Sequence, residues 1–272
     1  MESIFYSIIT IVKNGMPYFR DTVSSVANQG YKNYEYIVID AESSDGTVDV
    51  IKSNQSNVYR WVSEPDNGIA SAFNKGINFA KGDYILFLNA DDSLIDPDTL
   101  SKVSNAISEN QYPDFLYGDC EVIDRTTAKT LYRASIDITL KDFLYGRTFP
   151  HPSTFTKKEY FQKYGFFDEK FKIAMDYELF MRGIHESRIV HTPILVTRVR
   201  NGGVSTLDQK HVAKEIILAL KKNGYLNKYF AESRLRFYFW IRRCVSSILS
   251  AMGIYKSFQE IRNYINNRKT IL

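Results

Sequence analysis

Tyr84-Ile85-Leu86-Phe87-Leu88-Asn89-Ala90-Asp91-Asp92 is an apolar run followed at once by an amide and two carboxylates. An apolar run of this kind is typical of a strand that is buried on both faces. Polar residues placed directly after such a strand lie at its carboxyl end, where open α/β sheets bind their ligands. The stretch therefore predicts a parallel sheet with a functional site along one edge.

The segments before this stretch repeat its pattern. Residues 6–12, 36–40 and 61–62 are strand-like, and helical spacing or helix-ending residues follow each of them. Strands that alternate with helices predict a parallel sheet covered on both sides. The expected fold class is α/β, with a Rossmann-like, mostly parallel central sheet flanked by helices and a C-terminal helical appendage.

Length and composition exclude several classes of protein. The chain has 272 residues, of which 44% are hydrophobic and 24% charged, so wholesale disorder is excluded. Cys120 and Cys244 cannot form a disulfide framework, and no C-x-x-C pair indicates zinc. We expect a cytoplasmic protein, because the N-terminus lacks the features of a signal peptide and no apolar run is long enough to cross a bilayer.

The charge is distributed unevenly along the chain. Residues 208–272 hold 13 Lys and Arg against 4 Asp and Glu, whereas residues 1–207 hold 22 against 27. Such an asymmetry indicates an anionic partner for the basic end. No recognised nucleic-acid-binding module accompanies the charge, so we do not expect nucleic acid to be that partner.

The basic end also carries an apolar line at helical spacing. Its members are Phe230, Phe237, Ile241, Cys244, Ile248 and Met252. A basic helix with an aromatic-rich apolar side is typical of an interfacial membrane helix. The alternative is a helix packed on the rest of the chain or on a second subunit in a homodimer, and the pattern leaves both open.

Four polar positions each have a functional and a structural interpretation. Asn89-Ala90-Asp91-Asp92 is suited to Mg²⁺ or Mn²⁺, because crowded carboxylates favour a hard cation, but Asp is also common in turns. Asp40 is either a turn carboxylate or an acceptor for a nucleotide base or ribose. Asp176 is either a helix N-cap or a general base. His151 either bonds to the backbone or contacts an acceptor or a diphosphate.

Short motifs occur in a fixed order over about residues 5–205. They are residues 7–14, 38–47, 63–69, 73–76, 82–84, 88–92, 151–154, 175–179 and 201–205. In this order they resemble the inverting glycosyltransferases of family 2 that have a GT-A fold, of the type that builds bacterial polysaccharides. The resemblance implies a catalytic domain over residues 1–207, with a nucleotide-sugar half to about residue 110 and an acceptor and catalytic-base half after it. Residues 208–272 would be the basic helical tail.

The resemblance also implies a donor site for a nucleotide-diphospho-sugar, with a UDP-sugar favoured. Its residues would be Ile11, Val12, Asn14, Asp40, Asp66, Asn74, Lys75, Asn89, Ala90 and Asp91. Asn89-Ala90-Asp91 occupies the family's D-x-D position, where Asp91, with Asp92 sharing the role, would bind Mn²⁺ or Mg²⁺. Asn89 departs from the family pattern, since one carboxylate is missing there.

Asp176 matches the family's catalytic base, which would deprotonate a hydroxyl of a glycan or lipid-linked acceptor and lead to inversion at the anomeric carbon. Met175 stands where many relatives have Glu. The resemblance and the basic tail together imply an enzyme of cell-surface polysaccharide synthesis that is peripheral on the inner face of the plasma membrane. One alternative is a nucleotidyltransferase, although residues 13–17 are not its usual Gly-rich loop. The other is a non-catalytic scaffold, which Asn89 favours and the retained Asp91 and Asp176 oppose.

Overall fold

A computed structural model describes residues 3–58, 60–135, 137–203, 208–226 and 230–251. Within these ranges nine strands form one sheet. They are β1 (Tyr6–Val12), β2 (Tyr34–Asp40), β3 (Arg60–Ser63), β4 (Tyr84–Phe87), β5 (Ser93–Leu94), β6 (Phe115–Ile123), β7 (Thr130–Ala134), β8 (Thr154–Lys157) and β9 (Ile189–Arg200).

The same ranges contain nine α-helices and a short 3₁₀-helix, His151–Ser153. The α-helices are α1 (Phe19–Ala27), α2 (Thr47–Ser53), α3 (Ile69–Phe79), α4 (Thr99–Glu109), α5 (Leu140–Leu144), α6 (Lys158–Tyr164), α7 (Met175–Gly183), α8 (Gln209–Lys222) and α9 (Phe230–Ala251). Helix α4 begins at Thr99, because Asp96 forms the preceding turn and accepts the Asp98 N–H at 2.9 Å.

The first half of the sheet is parallel and buried. Strands β3, β2, β1 and β4 lie side by side in this order, and each pairing is parallel. Helices cover both faces, which explains why β1 and β2 are apolar almost throughout. Gly82 lets the chain pass close to β1 before β4, since a Cβ at this position would lie 2.4 Å from the Ser7 backbone nitrogen.

The second half of the sheet is mixed. Strand β8 is antiparallel to both β4 and β6, β9 is parallel to β6, and β5 and β7 are antiparallel edge additions. Because β8 runs against β4, the 3₁₀-helix that precedes β8 lies beside the carboxyl end of β4. The predicted α/β fold class, with a sheet flanked by helices, is confirmed. The parallel pattern predicted from the first half does not extend to β5, β7 and β8.

Two hydrophobic clusters lie on opposite faces of the sheet. One joins the sheet to α3, α7 and α8, and the other joins it to α1, α2 and α4. Helix α8 is part of the first cluster through buried Ile216 and Leu220. The division of the chain at residue 207 stays a prediction, but the contacts show that α8 shares a core with the sheet.

Helix α9 packs against the rest of the molecule on one side. Leu235 is buried in the first cluster, and Phe239 is packed against it. Phe237 and Ile248 on the predicted apolar line are instead 60% and 58% exposed. Met252 lies outside the described residues, as does the side chain of Phe230. In the ranges given above, we find no helix with the length and apolar character needed to span a membrane.

Candidate active site

Three neighbouring parallel strands end along one edge of the sheet. The register pairs Val12 of β1 with Asp40 of β2, and Ile9 of β1 with Phe87 of β4. Asp40 therefore ends its strand, and Asn14 and Asn89 follow theirs, at the same edge. The structure brings these polar residues to the place where a doubly covered sheet binds its ligands.

Asp40 is fully buried and only partly satisfied. Its Oδ2 atom accepts hydrogen bonds from the Ser43 N–H at 3.1 Å and the Ser63 hydroxyl at 2.5 Å. Its Oδ1 atom is buried and has no hydrogen-bond partner among the described residues. A buried carboxylate oxygen without a donor is costly. A ligand that presents an N–H or O–H group there would remove that cost.

Asn14 supports the loop beside Asp40. Its backbone N–H donates to the Ser43 hydroxyl at 2.7 Å, and its side-chain oxygen accepts the Ser44 N–H at 2.9 Å. Asn14 has a positive φ of 51°, which asparagine tolerates better than most residues. The loop that leaves β1 is thereby tied to the loop that leaves β2.

Four other predicted donor-site residues have side chains that are apolar or already hydrogen-bonded within the chain. Ile11 and Ala90 are partly buried against the hydrophobic clusters, and Val12 is buried. The Asn74 amide bonds to both the carbonyl and the N–H of Phe167, each at 2.9 Å. Any contribution of these four residues to ligand binding would come from shape, from backbone groups or from rearrangement.

Asp66 lies in the loop that leads into α3, and Lys75 lies within that helix. The Asp66 carboxylate accepts the Gly68 N–H at 2.9 Å and so shapes the turn before the helix. Gly68 has a φ of +112°, which favours glycine. Lys75 forms an ion pair with Glu64. Both side chains are partly exposed.

Asp92 is a buried residue of the polar cluster, with 2% exposure. One carboxylate oxygen accepts the Asn89 side-chain N–H at 2.8 Å, and the other accepts the Arg200 backbone N–H at 3.2 Å. Burial first, and the neighbouring Asp91 charge second, raise the pKa of Asp92 to about 7. Asn89 thus fixes Asp92, and the two oxygens of Asp92 are already engaged within the chain.

Asp91 is the more accessible carboxylate. Its side chain is 27% exposed, and Oδ2 accepts a hydrogen bond of 2.7 Å from the guanidinium of Arg125. Arg125 lies in the turn between β6 and β7 and is 41% exposed. The position next to this carboxylate is therefore one that attracts a cation.

Asp91 could contribute one oxygen ligand to a divalent metal whose other ligands come from substrate and water. Asp91 offers a hard oxygen donor at the mouth of the sheet and already pairs with a positive group. The part of the chain that the structure describes contains no group of three or more His, Cys, Asp or Glu side chains that could hold a metal. Magnesium is commonly held by one or two carboxylates together with substrate phosphates and water, so Asp91 suits that kind of site.

His151 lies on an aromatic cluster beside the end of β4. Its ring stacks on Phe87, with 5.1 Å between ring centroids, and meets Phe73 edge to face. The Nε2 atom is buried, and in the part of the chain that the structure describes it has no hydrogen-bond partner. Burial lowers the pKa of His151, and the negative charge of Asp176 opposes that shift. The structure thus brings His151 within electrostatic reach of Asp176.

Asp176 lies in the first turn of α7, half-buried. Its Oδ1 atom accepts the Tyr177 N–H at 2.7 Å. The turn that leads into α7 is fixed from α8 by the buried Glu215 carboxylate. This carboxylate accepts backbone N–H groups of Lys172, Ile173 and Ala174 at 2.7, 2.9 and 2.7 Å. The backbone that leads to Asp176 is therefore fixed by Glu215, and the Asp176 side chain is bonded to the residue that follows it.

Arg125 and Glu215 were not among the residues predicted from the sequence. Arg125 meets a carboxylate 34 positions earlier in the chain, and Glu215 binds Ala174, 41 positions away. Local patterns carry no signal for such distant pairs. Asn201 of the last motif accepts the Arg125 N–H at 2.9 Å, while Val204 and Ser205 lie outside the described residues.

The chain is similar in sequence to a known family and to several known proteins. Residues 7–175 match the family described as "Glycosyl transferase family 2". An uncharacterized glycosyltransferase of Mycobacterium tuberculosis is 34% identical over 177 residues, which is 65% of this chain and 67% of the relative. The teichuronic acid biosynthesis glycosyltransferase TuaG of Bacillus subtilis, itself described as putative, is 36% identical over 89 residues, 32% of this chain and 35% of the relative.

Solved structures share the fold. S. aureus TarS in complex with UDP-GlcNAc has a TM-score of 0.64 at 19% identity, over 85% of this chain and 69% of that one. A Pyrobaculum calidifontis mannosyltransferase in complex with GDP-Man and Mn²⁺ has a TM-score of 0.63 at 19% identity, over 93% of this chain and 76% of that one. These likenesses confirm the predicted GT-A type of α/β fold.

Proposed function

The chain belongs to glycosyltransferase family 2, and from that membership we propose that it moves a sugar from a nucleotide-diphospho-sugar to a hydroxyl of a glycan or lipid-linked acceptor. The observation that carries the donor proposal is the buried Oδ1 atom of Asp40, which has no partner at the carboxyl end of β2. An N–H of a nucleotide base is the kind of group that would satisfy it. Two structures with the same fold contain UDP-GlcNAc and GDP-Man.

The proposed reaction is a single displacement. Asp176 accepts the proton of the acceptor hydroxyl, whose oxygen forms a bond to the anomeric carbon as the bond to the nucleoside diphosphate breaks. Attack from the face opposite the leaving group inverts the anomeric centre. General-base assistance of this kind contributes about 10²–10⁴-fold to a rate.

Asp91 is the proposed metal ligand, since its carboxylate is the accessible one of the pair. Bound Mn²⁺ or Mg²⁺ would neutralise the charge that develops on the departing diphosphate. Asp92, engaged with Asn89 and Arg200, would then position the loop that carries Asp91. The Mn²⁺ named with the mannosyltransferase structure supports the choice of metal.

Burial lowers the pKa of His151, which favours the neutral form of its ring. A neutral ring has no charge with which to attract a diphosphate. Its free Nε2 atom is better suited to a hydrogen bond with the acceptor hydroxyl near Asp176. We therefore assign His151 to the acceptor side of the site.

Helix α9 supports a proposal about location. Phe237, Trp240, Ile241 and Ile248 are all more than two-fifths exposed on its outer side, and residues 208–272 carry an excess of positive charge. Exposed aromatic and aliphatic groups on a basic helix bind anionic lipid interfaces. We propose that this face holds the enzyme at an anionic membrane surface, where lipid-linked acceptors are found.

Nucleotide binding tests the donor proposal. Thermal unfolding of the full chain is measured with UDP, GDP and their sugars, each with Mn²⁺ or Mg²⁺, and donor turnover follows. At least one nucleotide should raise the midpoint in the presence of metal. Asp40→Asn should weaken that shift, whereas Asp83→Asn, at the opposite end of β4, should not. If no nucleotide diphosphate stabilises the protein, the donor assignment is wrong.

Vesicle sedimentation tests the location. The full chain should bind vesicles that contain phosphatidylglycerol more strongly than neutral phosphatidylcholine vesicles, and high salt should weaken the binding. The double change Trp240→Ser and Ile248→Ser should abolish it. Leu218→Ser, which alters an exposed leucine on α8, is the matched control. If the protein is a dimer in solution and does not bind vesicles, the exposed face of α9 is a subunit interface instead.

A further inference from the structure

The ion pair between Arg125 and Asp91 places a protein cation on the carboxylate proposed to bind metal. The Arg125 Nη1 atom lies 2.7 Å from Asp91 Oδ2. A divalent cation that takes this oxygen must displace the guanidinium or share the carboxylate with it. Two positive groups at a few ångströms repel each other, so sharing is unfavourable.

The backbone around Arg125 is fixed, whereas its side chain is accessible. The Asp124 carboxylate accepts the N–H groups of Thr126 and Thr127 at 3.1 and 2.8 Å, and the Arg125 N–H donates to Asn201. The Arg125 side chain is nevertheless 41% exposed. A partly exposed ion pair of this kind is weak, so the guanidinium can leave Asp91 without disturbing the turn.

A second guanidinium lies close to the first. Arg125 and Arg200 both lie over the ring of Tyr18, at 5.1 and 4.3 Å from its centroid. Arg200 is 11% exposed and is held by Asp21. Once Asp91 is taken by a metal, Arg125 would lose the carboxylate with which it pairs. A diphosphate is the partner that this arrangement favours.

We propose that Arg125 and a divalent metal exchange at Asp91 when the donor binds. In the nucleotide-free protein, Arg125 occupies Asp91 and keeps the affinity for free metal low. When the nucleotide arrives, Arg125 moves to the diphosphate, and the metal is held by Asp91 and the phosphate oxygens. The proposal rests on the donor site described under the proposed function. It adds that the metal binds together with the nucleotide rather than before it.

The exchange makes metal and nucleotide binding cooperative. If nucleotide raises the affinity for metal, then metal must raise the affinity for nucleotide by the same factor. Replacing Arg125 by an uncharged side chain removes the competitor and should therefore reduce this coupling. Metal would then bind more tightly alone, and nucleotide would gain less from metal.

Binding of Mn²⁺, followed by the electron paramagnetic resonance signal of the free ion, tests the exchange on the full chain. Without nucleotide, Arg125→Gln should bind Mn²⁺ up to about fivefold more tightly than the parent protein, the scale expected for a weak ion pair. Arg125→Lys should restore the parent behaviour. Arg198→Gln, which breaks the similarly exposed pair with Glu121, is the matched control and should change nothing. Adding Asp91→Asn to Arg125→Gln should abolish the gain.

The same titrations are repeated with UDP and with GDP. The parent protein should bind Mn²⁺ more tightly with the correct nucleotide than without it, and Arg125→Gln should lose most of that difference. Equal Mn²⁺ affinities of the parent and Arg125→Gln proteins, with circular dichroism showing both folded, overturn the exchange. If neither nucleotide binds to any variant, the donor proposal fails, while a gain in Mn²⁺ affinity from Arg125→Gln still supports competition at Asp91.

Discussion

The Glu215 carboxylate on α8 accepts a 2.7 Å hydrogen bond from the backbone N–H of Ala174, two residues before Asp176. Glu215 is 5% exposed and also binds the N–H groups of Lys172 and Ile173. A buried acceptor shared by three successive N–H groups fixes the path of the backbone. The proposed base is therefore positioned by a residue from a different helix.

Glu215→Ala should separate positioning from ligand binding. It leaves the buried N–H group of Ala174 without an acceptor, which costs about 1–3 kcal/mol and lowers the free energy of unfolding. We expect kcat to fall about 10- to 100-fold, since small displacements of a catalytic group have effects of this size. The affinity for nucleotide, measured by calorimetry, should stay unchanged.

Glu215→Gln is the conservative partner of that change. Its single oxygen keeps part of the bonding, so kcat should lie between the values for the parent and for Glu215→Ala. Equal kcat for Glu215→Ala and the parent, at temperatures where both are folded, would show that Glu215 has a structural role alone.

Asp176→Asn should remove transfer and leave donor binding in place. Asparagine keeps the size of the side chain but cannot accept the hydroxyl proton, so the rate should fall by about 10²–10⁴-fold. Turnover of the donor found in the nucleotide panel gives the rate, and thermal shift gives the binding. Asp168→Asn, which weakens an ion pair with Lys222, is the control and should keep most activity. Full activity of Asp176→Asn would refute its role as the base.

His151→Phe tests the free nitrogen without disturbing the aromatic packing. Phenylalanine can keep the contacts with Phe87 and Phe73. It also removes a buried nitrogen that has no partner, so the free energy of unfolding should stay equal or rise. If Nε2 binds the acceptor, KM for the acceptor should rise while donor affinity does not change. Unchanged acceptor kinetics would leave His151 as a packing residue.

Glu178→Gln should destabilise the fold in a pH-dependent way. Burial opposes ionisation of Glu178, but hydrogen bonds and charges from Arg182 and Lys222 outweigh burial and hold its pKa below the usual value. The carboxylate thus adds stability above the unfolded pKa of about 4.3, and the contribution is lost as pH falls through the lower folded value. At pH 7, removing this buried charge should cost about 3 kcal/mol.

Urea unfolding of the parent and Glu178→Gln proteins at pH 7 and at decreasing pH measures this contribution. The difference between the two proteins should shrink as the pH falls below about 4.3. Glu186→Gln, at an exposed ion pair with Lys163, should show little difference at any pH. A difference that stayed constant down to acid pH would mean that shape, not charge, gives Glu178 its effect.

The parallel part of the sheet could be predicted from the sequence, because each of its strands has a recognisable local pattern. The apolar runs of β1, β2 and β4 end in polar residues, and so Asp40 and Asn89 could be placed at one edge. The antiparallel return of β8 could not be predicted, because it pairs with β4 across some 70 positions of the chain. Pairing at that distance depends on packing, and local periodicity does not report it.

The candidate site shows the same division. Asp91 and Asp176 were proposed from motifs, since they follow a strand and begin a helix. The pairing of Asp91 with Arg125 and the support of the Asp176 turn by Glu215 arise from tertiary contacts. Neither has a local spacing that would indicate it. The unpartnered atoms of Asp40 and His151 likewise become visible only when their surroundings are known.

Helix α8, near the C-terminal end of the chain, contacts the segment that carries the proposed base. The family match ends at residue 175, one position before Asp176, and the carboxylate that fixes this turn comes from Glu215. A recombination that exchanged the C-terminal segment between relatives would thus also exchange the support of the proposed base. Substitutions in α8 that remove the Glu215 carboxylate would therefore also act on the turn that leads to Asp176.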